Sequence, residues 1–375
     1  MRISKLFCTA LMISLSFAGC KESKQNTPPQ KVEQAAPVAV QPVNSFSPDT
    51  SQNRLADIIA GKYKPFTADK AYKKASDDMQ KEWESLKEKK LTPIRTWMNK
   101  NYDGSVKEAK SLYYPFGGPD FSYAFAFYPN VKNYILVGLE PVGSLKDLGN
   151  FNLKSSTQFL NDMKQVLFYS IRFGFFRTKD MKKQFNDESG ALNVMLFFLK
   201  QYNADLGKIT LLKWDNGTLK EMDVNDKSKA DCVHIDFQID KVSHNLYYFS
   251  QDLSNSGLKK RPYFNEWVSK QGTFCSLVKS ASYLMHIDPF FDVRDFLIKN
   301  SIFHLQDDSG IKYCDMLKNK KKVTLFGAYT QTISAFSHRG QPDMKKAYES
   351  KNILGLPFSI GYNVVFRQTN IQVMQ

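Results

Sequence analysis

Ser111–Pro141, SLYYPFGGPDFSYAFAFYPNVKNYILVGLEP, is the stretch on which the reading of the fold turns. Leu112, Tyr113 and Tyr114 make a short apolar strand. Pro115-Phe116-Gly117-Gly118-Pro119-Asp120 is a turn, since glycine supplies backbone freedom and proline ends regular structure. Phe121–Tyr128 continues as an aromatic-rich helix stopped by Pro129-Asn130. Tyr134–Leu139 is an unbroken apolar run of the kind found in strands buried on both faces, and Glu140 closes it. Strand, glycine turn, helix, strand opens many α/β sheets, whose ligands sit outside the carboxyl ends of the strands.

Downstream, Gln158–Phe176 and Ala191–Tyr202 carry helical apolar patterns. Ile209–Trp214 reads as a strand followed by the turn Asp215-Asn216-Gly217, and Lys220–Lys229 as an exposed loop. Cys232–Ile239 and Asn245–Ser250 read as strands, Pro262–Trp267 as the start of a helix, and Phe274–Met285 as an apolar segment of open type. Asp292–Asn300 predicts a helix and Ser301–Leu305 a strand. Val323–Ala335 and Phe358–Gln368 read as two long strands with a short helix, Pro342–Glu349, between them. Upstream, Tyr72, Ala75, Met79, Trp83 and Leu86 recur at helical spacing within Ala68–Lys90. Thr92-Pro93 then looks like the N-cap and first position of a new helix. The expected fold class is α/β: a mostly parallel sheet over 111–375 flanked by helices, a C-terminal antiparallel strand pair, and a helical extension over 54–110.

Asp120, Glu140, Asp307 and Asp308 are all expected at the carboxyl ends of strands, with His304 nearby. Together with Gly117 and Gly118 they are the candidate ligand-binding residues. Paired carboxylates can act as acid and base or hold a cation; an Asp-rich turn built around Gly310 is the plainer alternative. His234-Ile235-Asp236 and His286-Ile287-Asp288 would each place two metal ligands on one face of a strand. Neither has a third ligand nearby in sequence, so no metal is expected. No GxSxG, HExxH, Walker or kinase signature is present, and no catalytic residue is assigned.

Glu140 lies 23 residues beyond Gly117, near the spacing of the acidic residue that meets a ribose hydroxyl in nucleotide sites. The unit therefore resembles Rossmann sheets, and its loose glycine turn is closer to the methyltransferase-like ones. The resemblance implies a nucleoside site beside Gly117. GGPDFS departs from GxGxxG, Pro119 has no N–H to offer a phosphate, and Asp120 would repel one. No cofactor is expected. The string Tyr-Pro-Phe-Gly-Gly-Pro-Asp is also similar to one in secreted bacterial proteins of uncharacterised function, which implies no activity.

The N-terminus MRISKLFCTALMISLSFAGC places Arg2 and Lys5 ahead of an apolar stretch, Leu6–Phe17. That length suits a signal peptide and is short for a bilayer span. Phe17-Ala18-Gly19-Cys20 resembles the bacterial lipobox, with Phe17 where Leu is usual. The resemblance implies a signal peptide over 1–19, cleavage before Cys20, and a diacylglycerol thioether on Cys20 with an acylated (palmitate-type) N-terminus. Several acyl chains give stable anchoring. Lys21 in place of Asp points to the outer membrane rather than the inner. Residues 20–53 hold Pro28, Pro29, Pro37, Pro42 and Pro48 among Gln, Ser, Ala and Val, a composition that favours a disordered tether.

A formal charge of +15 favours anionic partners, and a Lys-rich solvated surface is the alternative. Nucleic acid is not expected, because no basic-aromatic platform or binding motif appears. Beyond Cys8 and Cys20 only Cys232, Cys275 and Cys314 remain, without zinc spacing, so at most one disulfide can form. The functional expectation is a cell-envelope lipoprotein facing the periplasm or the surface, acting as a non-enzymatic binding or interaction domain on an anionic envelope polymer or a protein. The alternative is an envelope hydrolase of phosphate- or sugar-containing substrates that uses the carboxylate-lined cleft.

Overall fold

A computed structural model describes residues 46–102, 106–145, 151–173, 190–223, 225–226, 228–350, 352–366 and 368–375. The expected signal peptide, Cys20 and most of the tether lie outside them. Phe46–Gln375 is one compact unit.

The helices are α1 (Thr50–Ile59), α2 (Lys70–Leu86), α3 (Thr92–Tyr102), α4 (Phe121–Phe127), α5 (Leu153–Phe173), α6 (Gly190–Gln201), α7 (Asn255–Lys260), α8 (Tyr263–Lys270), α9 (Phe291–Asn300), α10 (Tyr313–Lys318) and α11 (Pro342–Ser350). The strands are β1 (Ser111–Tyr114), β2 (Asn133–Gly138), β3 (Asp205–Asp215), β4 (Thr218–Glu221), β5 (Cys232–Ile239), β6 (Val242–Ser250), β7 (Phe274–Val278), β8 (Ser301–Gln306), β9 (Val323–Gly327) and β10 (Asn370–Met374).

They form one ten-stranded sheet in the order β4-β3-β5-β6-β2-β1-β7-β8-β10-β9. The five central strands from β6 to β8 are parallel. Both flanks are antiparallel: β4-β3-β5-β6 on one side and β8-β10-β9 on the other. The chain leaves β1 for β2 on one side and later returns to β7 on the other, so the order reverses between β1 and β7.

Alternation along the strands sends side chains to two cores. Leu112, Tyr114, Tyr134, Leu136, Leu277 and Leu305 meet Trp83, Ile94, Trp97 and the nearly all-apolar α6 on one face. Tyr113, Ile135, Val137 and Val278 meet Phe264, Val268, Leu297, Met316 and Met344 on the other. Burial on both faces explains the unbroken apolar runs of β2 and β7. The helices of 54–110 belong to the first of these cores. Ordered structure begins before residue 54: Asp49 caps α1, and Asn53 bonds the Leu206 carbonyl at 2.8 Å.

Three expectations need correction. Thr92 does not restart a helix: it has φ −66° and ψ −47°, and Lys87–Leu91 forms a π turn joining α2 to α3. Pro93 has no N–H for the helical ladder, and the wider turn lies beside that missing bond. The final strand pair exists, but β9 stops at Gly327 (φ +82°) and the last strand is Asn370–Met374. Phe358–Gln368 is not a strand, because Gly361 at φ +81° turns the chain into a 3-10 segment, Tyr362–Phe366. Part of Lys220–Lys229 belongs to β4, which pairs with β3 across the Asn216-Gly217 turn.

Candidate functional site

The loops after β1, β2 and β8 bring Gly117, Gly118, Asp120, Glu140, Asp307 and Asp308 to one edge of the sheet, as the strand-end argument expects. These positions do not form an open row of carboxylates. Asp120 is 1% exposed, Asp307 1% and Asp308 0%, and each is held by protein donors.

Asp120 caps α4 by accepting from the Tyr123 N–H at 3.3 Å, and also accepts from Ser122 Oγ and Tyr114 OH, both at 3.0 Å. Its main partner is Lys279, the first residue after β7, whose Nζ lies 3.0 Å from Oδ2. Lys279 also sits over the Tyr123 ring, 4.1 Å from its centroid. Burial raises the Asp120 pKa, and Lys279 opposes that shift. This pair joins the ends of β1 and β7, at the point where the strand order reverses and a ligand would enter an open α/β sheet.

Gly117 packs against the Tyr114 ring; a Cβ there would come within 2.7 Å of it. Gly118 has φ +58°, and a Cβ on it would lie 3.5 Å from Glu140 Oε2. Glu140 is 8% exposed, and Tyr248 OH donates to its backbone oxygen at 2.9 Å. The acid expected to meet a ribose therefore meets Gly118 and Tyr248.

Asp307 accepts from Ser280 N at 2.8 Å, Ser309 N at 2.9 Å and Ser309 Oγ at 2.5 Å. Ser280, Ser282 and Tyr283 all have positive φ, near +53°. Such conformations are costly for non-glycine residues and turn successive N–H groups inward, as in an anion-binding nest. In this chain the nest is occupied from within: Ser280 N by Asp307, Ala281 N by Ser309 Oγ at 2.7 Å, and Ser282 N by Tyr362 OH at 3.1 Å. Asp308 accepts from Tyr283 OH at 2.5 Å, Asn370 Nδ2 at 2.9 Å and Asn363 Nδ2 at 3.3 Å. Burial, then the neighbouring Asp307 charge, pushes its carboxyl up to about 7. The segment carrying Tyr362 and Asn363 thus closes over the ends of β7 and β8.

His304 is fully buried between Ser276 Oγ and Gln306 Oε1, each at 2.7 Å, and burial lowers its pKa to about 4. It is a neutral core residue. His234 and Asp236 do share a face of β5, with Nε2 and Oδ1 3.2 Å apart, but His234 also bonds Asn245 and stacks on Tyr247. His286 lies in a 3-10 turn, not on a strand, so it shares no strand face with Asp288. Among the described residues no group of three His, Cys, Asp or Glu could hold a metal ion. Cys232, Cys275 and Cys314 are free thiols.

Lys279 and Lys90 are the residues that the sequence reading missed. Lys90, turned inward by the π turn, donates to Ser359 O at 2.8 Å and to Ser359 Oγ. Burial, with Lys279 nearby, lowers its pKa to about 8. A signal for Lys279 was present: a lysine directly after the apolar run FCSLV occupies the same strand-end position used to select the carboxylates. Cavities of about 510 Å³ beside Asn255 and Asp292, and of about 550 Å³ beside Glu84 and Pro357, are lined by none of the candidate residues. The chain matches no family model, no curated protein and no solved structure.

Proposed function

We propose that this chain is a non-enzymatic binding or interaction domain, tethered to a bacterial cell envelope by lipid on Cys20. Its body is a Rossmann-like sheet whose ligand crevice is filled by its own side chains. The parallel centre, the reversal between β1 and β7, and the antiparallel β10-β9 pair support the methyltransferase-like variant of that sheet. The observation that carries the functional reading is the Lys279–Asp120 ion pair at the reversal point, 3.0 Å long and 2% exposed on each side. A nucleoside ligand there would have to displace a buried ion pair and the Asp307 bonds beside it. The lipobox-like Phe17-Ala18-Gly19-Cys20 supports the anchor, Lys21 supports the outer membrane, and the +15 charge supports an anionic envelope polymer or an acidic protein as partner. Membrane fractionation of wild type and Cys20→Ala tests the tether, and ligand-dependent melting tests the closed crevice.

One observation favours the hydrolase alternative. Asp307 and Asp308 are adjacent, and a carboxyl near 7 has the acidity of a general acid at neutral pH. That reading requires the Tyr362–Asn363 segment to open. It predicts turnover of a phosphate or glycoside substrate that Asp308→Asn abolishes.

A further inference from the structure

A cavity of about 240 Å³ is lined by His286, Lys312, Cys314, His338, Arg339, Gln341 and the start of α11. We propose that this cavity is a binding site for a phosphate group, either free or carried by an envelope lipid or glycan. Its lining comes from three separate segments. Lys312 precedes α10, His338 and Arg339 end a 3-10 turn, and His286 belongs to another. Lys312 and Arg339 are half-buried, and among the described residues neither is in an ion pair. One carboxylate, Asp343, lines the cavity and is exposed. The first turn of α11 adds N–H groups outside the helix's own ladder.

His286 points to the ligand class independently of these charges. The residue is 5% exposed, and its Nε2 is buried without a hydrogen-bond partner. A buried polar atom left in that state is costly. Burial, then the charges of Lys312 and Arg339, lowers its pKa to about 3, so the ring is neutral. A neutral imidazole carries one N–H and one bare nitrogen, so Nε2 can donate to or accept from a ligand according to its tautomer. The matching ligand carries anionic oxygens for Lys312 and Arg339 and a polar oxygen for His286 Nε2. A phosphate group offers both.

The site does not rest on the tethered-domain reading, and Cys20→Ala protein tests it without an anchor. The purified chain is titrated calorimetrically with inorganic phosphate at constant ionic strength, and the imidazole resonances are followed by NMR. Saturable phosphate binding that shifts the His286 resonance is expected. Arg339→Gln and Lys312→Gln each weaken phosphate binding by about tenfold or more, the loss expected for one charge-assisted hydrogen bond, while circular dichroism shows the fold retained. Sedimentation with phosphatidate vesicles, against phosphatidylcholine vesicles, then separates the sources. Vesicle binding lost in Arg339→Gln assigns a lipid headgroup, and binding of inorganic phosphate alone assigns a soluble ligand. No saturable phosphate binding, or binding unchanged in both variants, would overturn the proposal.

Discussion

Lys279 Nζ lies 3.0 Å from Asp120 Oδ2, and each of the two side chains is 2% exposed. The pair joins the end of β7 to the cap of α4, across the gap where an open α/β sheet receives its ligand. Removing one partner leaves the other charge buried, which costs about 3–5 kcal/mol, whereas replacing both can be close to neutral. Lys279→Met and Asp120→Asn are therefore each expected to destabilise strongly, and the double variant by much less than their sum. Urea unfolding of the four proteins checks this. Strict additivity would show that the pair does not hold the crevice shut.

Asp308 predicts a pH dependence. Its folded pKa, about 7, lies above the unfolded value of 3.8. Its contribution is thus complete below pH 3.8 and is lost as pH rises towards 7. His286 and His304, lowered to about 3 and 4, act in the opposite sense: their contribution is present above 6.5 and is lost as pH falls. The diagnostic quantity is the difference between wild type and Asp308→Asn. Relative to wild type, the variant should gain stability between pH 4 and pH 7, measured by urea unfolding at several pH values. Asn363 Oδ1 and Asn370 Oδ1 lack partners, so an amide flip can accommodate the new donor. A constant difference across that range would contradict the assigned shift.

Gly138 ends β2 where three groups converge. A Cβ there would lie 2.4 Å from Glu140 Oε2, 2.8 Å from Tyr248 OH and 2.9 Å from Gly118 Cα. Gly138→Ala is expected to cost about 1–3 kcal/mol through overpacking. Glu140→Ala in the same chain should recover part of that loss. A thermal melt of the single and double variants decides the point, and an undiminished loss would place the conflict in the backbone contact alone.

Cys20 should take up a palmitate analogue in growing bacteria, and Cys20→Ala should release the protein from the membrane fraction. Firm membrane association of Cys20→Ala would remove the lipid anchor from the account.

The focal stretch was legible because its apolar runs are short and bounded by Gly117, Gly118, Pro129 and Asn130, and local rules set such boundaries. The last strand was not. Asn370–Val373 alternates polar and apolar residues yet is buried throughout between β8 and β9, while Phe358–Gln368 looks more strand-like and is turned aside at Gly361. The candidate carboxylates were found by their place at strand ends, but their state was illegible. Whether Asp120 faces a ligand or Lys279 depends on a contact between segments far apart in the chain. The positive-φ run of Ser280, Ser282 and Tyr283 was hidden for the same reason: none is glycine, and long-range partners hold each in place.

The most direct test of the closed crevice is the melting temperature of the purified chain with saturating adenosine, S-adenosylmethionine, magnesium or calcium, none of which brings a phosphate. Binding to the native state alone would raise it by mass action. The account predicts no shift with any of them. A rise of several degrees that disappears in Asp120→Asn would contradict it.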